Sequence, residues 1–218
     1  MNKNIKKAFG KGKAFILFIT CGDSSLEVTE RIVYAMEEAG ADLIELGIPF
    51  SDPTAEGPVI QAANVRALSG GVTTDKIFDM VRRIRQKTSI PMVFMTYANV
   101  VYSYGTERFA KAAAEIGMDG LILPDVPFEE KEEFAIPFKE HGLDLISLIA
   151  PTSHERIAMI AKEAEGFGIS EPKQAKKMAA QSDGVIVGST IVKLCEKYGA
   201  YCVPHISTFV KEMKDAIR

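Results

Sequence analysis

Two carboxylates stand within the stretch LIELGIPFSDPTAEGPVIQ, residues 43–61. Glu45 lies between Ile44 and Leu46 in an apolar run that reads as a β-strand. A carboxylate in such surroundings costs several kcal/mol if it is ionised and alone, so it takes up a proton or finds a partner. Either it moves protons near neutral pH, or it is a salt-bridged glutamate in a helix–strand seam. Glu56 follows in a loop rich in Pro, Asp and Gly, where movable catalytic groups are found and where solvated carboxylates are common. Two carboxylates on one strand–loop unit can divide acid and base roles when their environments differ.

A second stretch, GVIVGST at residues 184–190, ends a strand with Gly188-Ser189 before a helix. Backbone N–H groups and a hydroxyl at a helix N-terminus make a site for phosphate, or simply a turn glycine and an N-cap serine. Gly168 and Ser170, in GFGIS, offer a second set of donors of the same kind. His141, His154 and His205 are scattered, and Cys21, Cys195 and Cys202 show no CxxC spacing. No metal site is proposed by such a pattern, and reduced thiols are the reading for the cysteines.

The elements that must hold these groups alternate between β-rich runs and helix-period segments, the pattern of a parallel sheet covered by helices. Strands are expected at 14–20, 42–47, 91–97, 120–125, 144–149 and 184–188. Helices are expected at 26–39 (with Ser24 and Glu27 as a capping box), 58–68 and 75–85, and then before Gly117 and Gly142. Pro137 should kink or shorten the last of these. A helix from Thr152 or Ser153 to Glu165 is followed only by Gly166–Ile169 before Ser170-Glu171-Pro172 opens another. Two helices thus meet without a strand between them. Helices from Ile191 and around Phe209, Val210 and Met213 finish the chain, and a short cationic helix carrying Ile5, Ala8 and Phe9 begins it.

The chain has 218 residues, 47% hydrophobic and 25% charged, with a net charge of −3. That length supports one sizeable core, read as a single α/β domain over residues 1–218. There is no basic patch for nucleic acid, no apolar run long enough to span a bilayer and no signal peptide, so a cytoplasmic protein is expected.

FITCGDSSLE, ELGIPFSDPTAEGPVIQAAN, MTYANVVYSYG, DGLILPDVPFEE, APTS, FGIS and DGVIVGSTIVK resemble, in order, the successive motifs of tryptophan synthase alpha chains. The resemblance implies a TIM (β/α)8-type parallel barrel. It implies a lyase of tryptophan biosynthesis that cleaves indole-3-glycerol phosphate to indole and glyceraldehyde 3-phosphate, with no cofactor of its own. Glu45 would be the catalytic acid/base, and Glu56 would stabilise the indole N–H where the family usually has an aspartate. Phe18, Tyr97 and Ile149 would line the indole pocket; Gly168, Gly188 and Ser189 would hold phosphate. Asp52 and Pro53 would lie in the loop that meets a PLP-dependent beta chain in an alpha2-beta2 assembly. Isomerases with phosphate-binding barrels do not share the ELGIPFSDP text.

Where the family continues after the position of Phe167 with a strand, a mobile loop, a helix and a further strand, this chain passes directly to GIS. On a barrel of about 250 residues roughly 40 are absent, about one and a half βα units, leaving about six strands of eight. The strands at 144–149 and 184–188 would then pair in a smaller, strained barrel or leave edges that self-association fills. An alternative function follows, a weak or inactive barrel that only binds or activates a beta chain.

Overall fold

The computed structural model describes residues 2–10, 12–148, 171–180 and 182–217. Six parallel strands form one sheet: β1 (Ala14–Thr20), β2 (Leu43–Gly47), β3 (Met92–Met95), β4 (Gly120–Ile122), β5 (Asp144–Ile146) and β6 (Gly184–Val187). Their order is β5-β4-β3-β2-β1-β6, so the last strand returns to lie beside the first. The helices are α1 (Lys3–Phe9), α2 (Leu26–Glu38), α3 (Pro58–Ser69), α4 (Thr74–Arg85), α5 (Ala98–Tyr104), α6 (Thr106–Glu115), α7 (Glu132–Glu140), α8 (Pro172–Ala179), α9 (Ser189–Tyr198) and α10 (Val203–Ile217). Each strand is thus parallel to its neighbours and separated from the next by helix, as in a curled half-barrel.

Apolar side chains fill both faces of the sheet, which is why β1 reads AFILFIT without alternation. Phe15, Leu17, Ile19, Ile44, Leu46, Phe94 and Leu121 face the helices. Ile32, Val33 and Met36 of α2 and Ile77, Phe78, Val81 and Ile84 of α4 meet them there, as their spacing predicts. Phe78 stacks on Phe94 at 5.4 Å and meets Phe109 edge-on at 5.3 Å, a favoured aromatic geometry. The second, inner face carries Ala14, Ile16, Phe18, Leu43, Val93, Met95, Ile122 and Ile186. Ile5 and Ala8 of α1 pack on this inner face, with Phe9 against it. The basic helix expected at the N-terminus therefore plugs one end of the half-barrel.

Several boundaries move for local reasons. Ser25, not Ser24, caps α2, its Oγ accepting from Val28 N at 3.2 Å, while Ser24 takes φ 96° in the turn before it. The expected strand at 91–97 stops at Met95, because Tyr97 already caps α5. Two helices, not one, then fill the interval before Gly117; Gly105 at φ 90° turns the chain between α5 and α6. β4 and β5 are three residues each, shorter than expected. α9 begins at Ser189 instead of Ile191. α7 runs through Pro137 and ends three residues later; Glu133, whose carbonyl Pro137 cannot serve, is exposed and can bond to water.

β5 and β6 are the two ends of the described sheet, and they do not pair with each other. A smaller barrel closed by direct β5–β6 pairing is therefore not the arrangement. The helix expected up to Glu165 and the Gly166–Ser170 junction lie outside the described residues.

At the α1 end, Asp119 is 2% exposed and bound from three sides. Arg85 Nη2 meets it at 3.0 Å, Asn4 Nδ2 donates at 2.8 Å and Met92 N donates at 2.9 Å. Arg85 Nε also donates to Gly117 O at 2.8 Å, so α4, β3 and β4 are locked together. Arg85→Ala leaves a buried carboxylate without its cation and should lower stability by about 3–5 kcal/mol. Urea unfolding checks this; an unchanged midpoint would mean that Asn4 and the backbone satisfy Asp119 by themselves.

Candidate functional site at the open ends of the strands

β2 brings Glu45 to the inner face. Its register partners are Phe18 on β1 and Val93 on β3, both inner-face residues, and Glu45 itself is 2% exposed. Backbone extension alone puts it there, since strand residues alternate and Ile44 and Leu46 belong to the helix side. The carboxylate therefore lies on the opposite face of the sheet from Ile44 and Leu46, among residues that α1 and α3 also reach.

Phe18 is 5% exposed and lies between the ends of two other strands. A Cβ at Gly47 would stand 2.6 Å from its Cζ, and one at Gly188 would stand 3.1 Å from its Cβ. Both glycines are thus fixed by the Phe18 ring, which accounts for Gly188 without any ligand. Gly188 also serves as N-cap residue of α9, accepting from Ile191 N at 2.9 Å, and Ser189 opens the helix exposed. Ile191 N and Val192 N are taken up by the Gly188 carbonyl, whereas the helix geometry offers the Ser189 and Thr190 amides no acceptor of its own.

Glu56 is half-buried just before Gly57, the N-cap of α3. Its Oε2 accepts a short hydrogen bond from the Tyr97 hydroxyl, and the same hydroxyl accepts from Ala55 N at 2.9 Å. Gln61 Nε2 donates to Glu56 O at 2.8 Å, so the first turn of α3 holds the loop's backbone. Burial pushes the Glu56 carboxyl above the usual range, and the Tyr97 bond opposes this only in part. Burial and the bond to Glu56 together push Tyr97 up to about 12. Tyr97 is buried and packs on Phe50 at 5.1 Å between centroids. The loop from Ser51 carries Asp52 exposed and Pro53 half-buried, bonded by a short Ser51–Asp52 contact.

The structure thus gathers Phe18, Glu45, Glu56, Tyr97, Gly188 and Ser189 along β1, β2, β3, β6 and the loops at their C-terminal ends. Ile149 and Gly168 lie outside the described residues, as does Ser170. Among the described residues no group of His, Cys, Asp and Glu could hold a metal ion, and no helix is long and apolar enough to cross a membrane. Cys21, Cys195 and Cys202 are free and buried.

Sequence reasoning passed over three groups here. Thr20, on the inner face at the end of β1, has a buried hydroxyl with no hydrogen-bond partner among the described residues. Asp125 accepts from Ala98 N at 3.1 Å and helps raise Glu56. Its place three residues beyond β4, in LPD, was the available signal. Asp23 is 3% exposed and bound by Arg66, a long-range contact that no local spacing reveals.

Parallel strands wrapped by helices, with polar groups collected at their C-terminal ends, define a protein of the TIM-barrel type. The chain belongs to the tryptophan synthase alpha chain family, whose model matches residues 5–167 and 162–218. It is 42% identical to the tryptophan synthase alpha chain of Geobacter sulfurreducens over 246 residues, covering 94% of this chain and 93% of that one. The corresponding chain of a Thermoanaerobacter species is 38% identical over 259 residues, covering 100% and 99%. Both alignments are longer than the 218 residues of this chain, so both open gaps within it. The crystal structure of tryptophan synthase subunit alpha from Legionella pneumophila superposes with a TM-score of 0.91 at 35% identity, covering 100% and 98%. A chain of the tryptophan synthase complex from Pyrococcus furiosus gives 0.88 at 29% identity, covering 94% and 99%.

The raised carboxyl of Glu56 has a consequence for stability. A folded-state pKa above the unfolded value means that the fold binds the extra proton, so the group weakens the fold as pH rises through the folded pKa. Below the unfolded value, about 4.3 for a glutamate, the penalty vanishes. Glu56→Gln should therefore be more stable than the parent at pH 8, with the gap closing on acidification. Thermal melts across that range check it; a gap that widens in acid would mean the carboxylate is held below its ordinary range.

Proposed function

We propose that the chain cleaves indole-3-glycerol phosphate to indole and glyceraldehyde 3-phosphate, as a lyase of tryptophan biosynthesis. The observation that carries this reading is the buried carboxylate of Glu45 on the inner face, with Glu56 held nearby at the mouth by Tyr97. In the reaction Glu45 delivers a proton to C3 of the indole ring, leaving positive charge on the ring nitrogen. The 3′-hydroxyl loses its proton as the bond from C3 to the side chain breaks. That bond's electron pair returns to the ring and quenches the charge on nitrogen, while the carbon that held the hydroxyl becomes the aldehyde. One proton enters at C3 and one leaves the hydroxyl, so Glu45 can return to its starting state.

Glu56 faces the N–H on which charge develops, and its ionised form is the one that stabilises it. The half-buried, Tyr97-bonded setting makes that carboxylate ionise later than a free glutamate but keeps it aimed. Phe18 and Tyr97 supply apolar walls for the indole. Gly188 and Ser189 supply amides at the start of α9 for the phosphate. Asp52 and Pro53, on the loop before Glu56, would face a PLP-dependent beta chain; the Pyrococcus furiosus structures include an a2b2 complex. A second reading is favoured by the gaps in both alignments, since a chain lacking a covering loop excludes water poorly. In that case the chain binds the same ligands and the same partner but turns over slowly.

Indole release is the measurement that separates these roles. Glu45→Gln should abolish cleavage while leaving the thermal melt of the protein intact, whereas undiminished turnover would make Glu45 structural. Glu56→Asp should keep or raise the rate. Tyr97→Phe removes the bond that lowers the Glu56 carboxyl, so the acidic limb of the pH–rate profile should move to higher pH. A limb that stays put or moves down would dissociate Tyr97 and Glu56 from the rate.

Phosphate has its own readout. Glycerol phosphate should shift the amide resonances of Gly188 and Ser189 in an NMR titration; shifts confined to the α1 end would sink that site.

A further inference from the structure

Arg66 stands on α3, two turns beyond the N-cap Gly57 that follows Glu56. Its guanidinium holds three points. Nε and Nη2 meet the two carboxylate oxygens of Asp23 at 2.7 and 3.0 Å, and Nη1 meets Glu196 Oε1 at 3.1 Å. Asp23 belongs to the loop after β1, and Glu196 belongs to α9, whose N-terminus carries Gly188 and Ser189. The Asp23 carboxylate is 3% exposed and Arg66 is 34% exposed, so the two-pronged pair is desolvated on its acidic side, while the contact to Glu196 lies at the surface. The loop bearing Asp23 is itself wedged in place. Gly22 takes φ 81°, with Val72 from the segment after α3 close against it, and its N–H donates to Thr29 Oγ1 at 2.9 Å. Neither end of Arg66's connection is loose. At one end Gln61 ties α3 to Glu56, and at the other α9 begins directly at the end of β6.

We propose that Arg66 is a positioning residue that sets the separation between the acid/base end of the site, at Glu56, and its phosphate end, at Gly188-Ser189. The inference rests on the lyase reading above, whose substrate carries indole and phosphate at opposite ends of a three-carbon chain. A ligand of that shape gains from both ends only if they are held at the matching distance. The second contact is then intramolecular, and its benefit collapses when the geometry loosens. Arg66 touches neither end. It acts by tying α3 to the buried Asp23 carboxylate and to Glu196 of α9. Lysine is no substitute, because a single ammonium cannot grip both oxygens of Asp23 with the planar fork.

The test uses three probes on the full chain: indole, glycerol phosphate, and an uncleavable analogue with indole joined to phosphate through three carbons. Calorimetric dissociation constants are compared for the parent, Arg66→Lys, and the double variant Asp23→Asn/Arg66→Gln. The double variant replaces the ion pair with two amides, so no charge is left buried alone and the fold is kept even if Arg66→Lys proves unstable. For both variants the spanning analogue should weaken about tenfold or more, while indole and glycerol phosphate each change less than about twofold. A residue that merely stabilises the fold moves all three probes in proportion, or none below the melting temperature. Either of those results overturns the proposal. A parent that binds neither half would instead bring down the lyase reading itself, and the inference with it. A parent that binds both halves and gains nothing from their linkage would overturn only the positioning role.

Discussion

The ring of Phe18 is the wedge around which the mouth of the half-barrel is arranged. β1 is flanked by β2 on one side and β6 on the other, and Phe18 leans on the last residue of β2 and on the residue that follows β6. At Gly47 a methyl group would overlap the ring outright, and at Gly188 it would press on it. The ring therefore favours glycine at both neighbours, most strictly at Gly47. The same ring lies in register with Glu45. One side chain therefore fixes the spacing of the buried carboxylate, the end of β2 that leads to the Glu56 loop, and the start of α9.

Two buried carboxylates, each paired with an arginine, brace this arrangement at its opposite ends. Asp119 and Arg85 join β3, β4 and α4 at the end that α1 closes. Asp23 and Arg66 join the β1 loop, α3 and α9 at the open end. In a parallel α/β fold the closed end of the strands supports stability and the open end carries ligands. The two pairs differ in what each holds in register.

Much of this was legible in the residues. Apolar runs bounded by glycine, proline or polar turn residues marked all six strands, and period-3.6 faces such as Ile77, Phe78, Val81 and Ile84 marked the helices. Those signals report burial, which is a local property of each segment. Endings were harder to read. Tyr97 looks like the last residue of a β-rich run, yet its hydroxyl is drawn to Glu56 and its backbone opens α5. Ser24 and Ser25 are both competent caps, and only the positive φ of Ser24 decides between them. Glu45 and Glu56 stood out because a carboxylate in an apolar strand and one in a Pro/Gly-rich loop after it are chemically conspicuous. Asp23, Thr20 and Arg66 did not stand out, because their meaning comes from partners or neighbours dozens of residues away.

Glu56 raises a last question of length. Compared with the aspartate that the resemblance implies at this position, Glu56 has one more methylene, and a longer side chain has more rotamers to lose before it is held in one place. Here that freedom is removed from two directions. The Tyr97 hydroxyl donates to the carboxylate while accepting from Ala55 N, so the phenol is itself oriented by the loop it restrains. Gln61 holds the carbonyl of the same residue. The loop, the carboxylate and the phenol form one hydrogen-bonded unit, in which the extra length is taken up in reaching Tyr97. A shorter aspartate at this position would sit farther from that hydroxyl and closer to its own backbone. The glutamate is therefore best understood together with Tyr97, whose polar end it satisfies inside an otherwise apolar pocket.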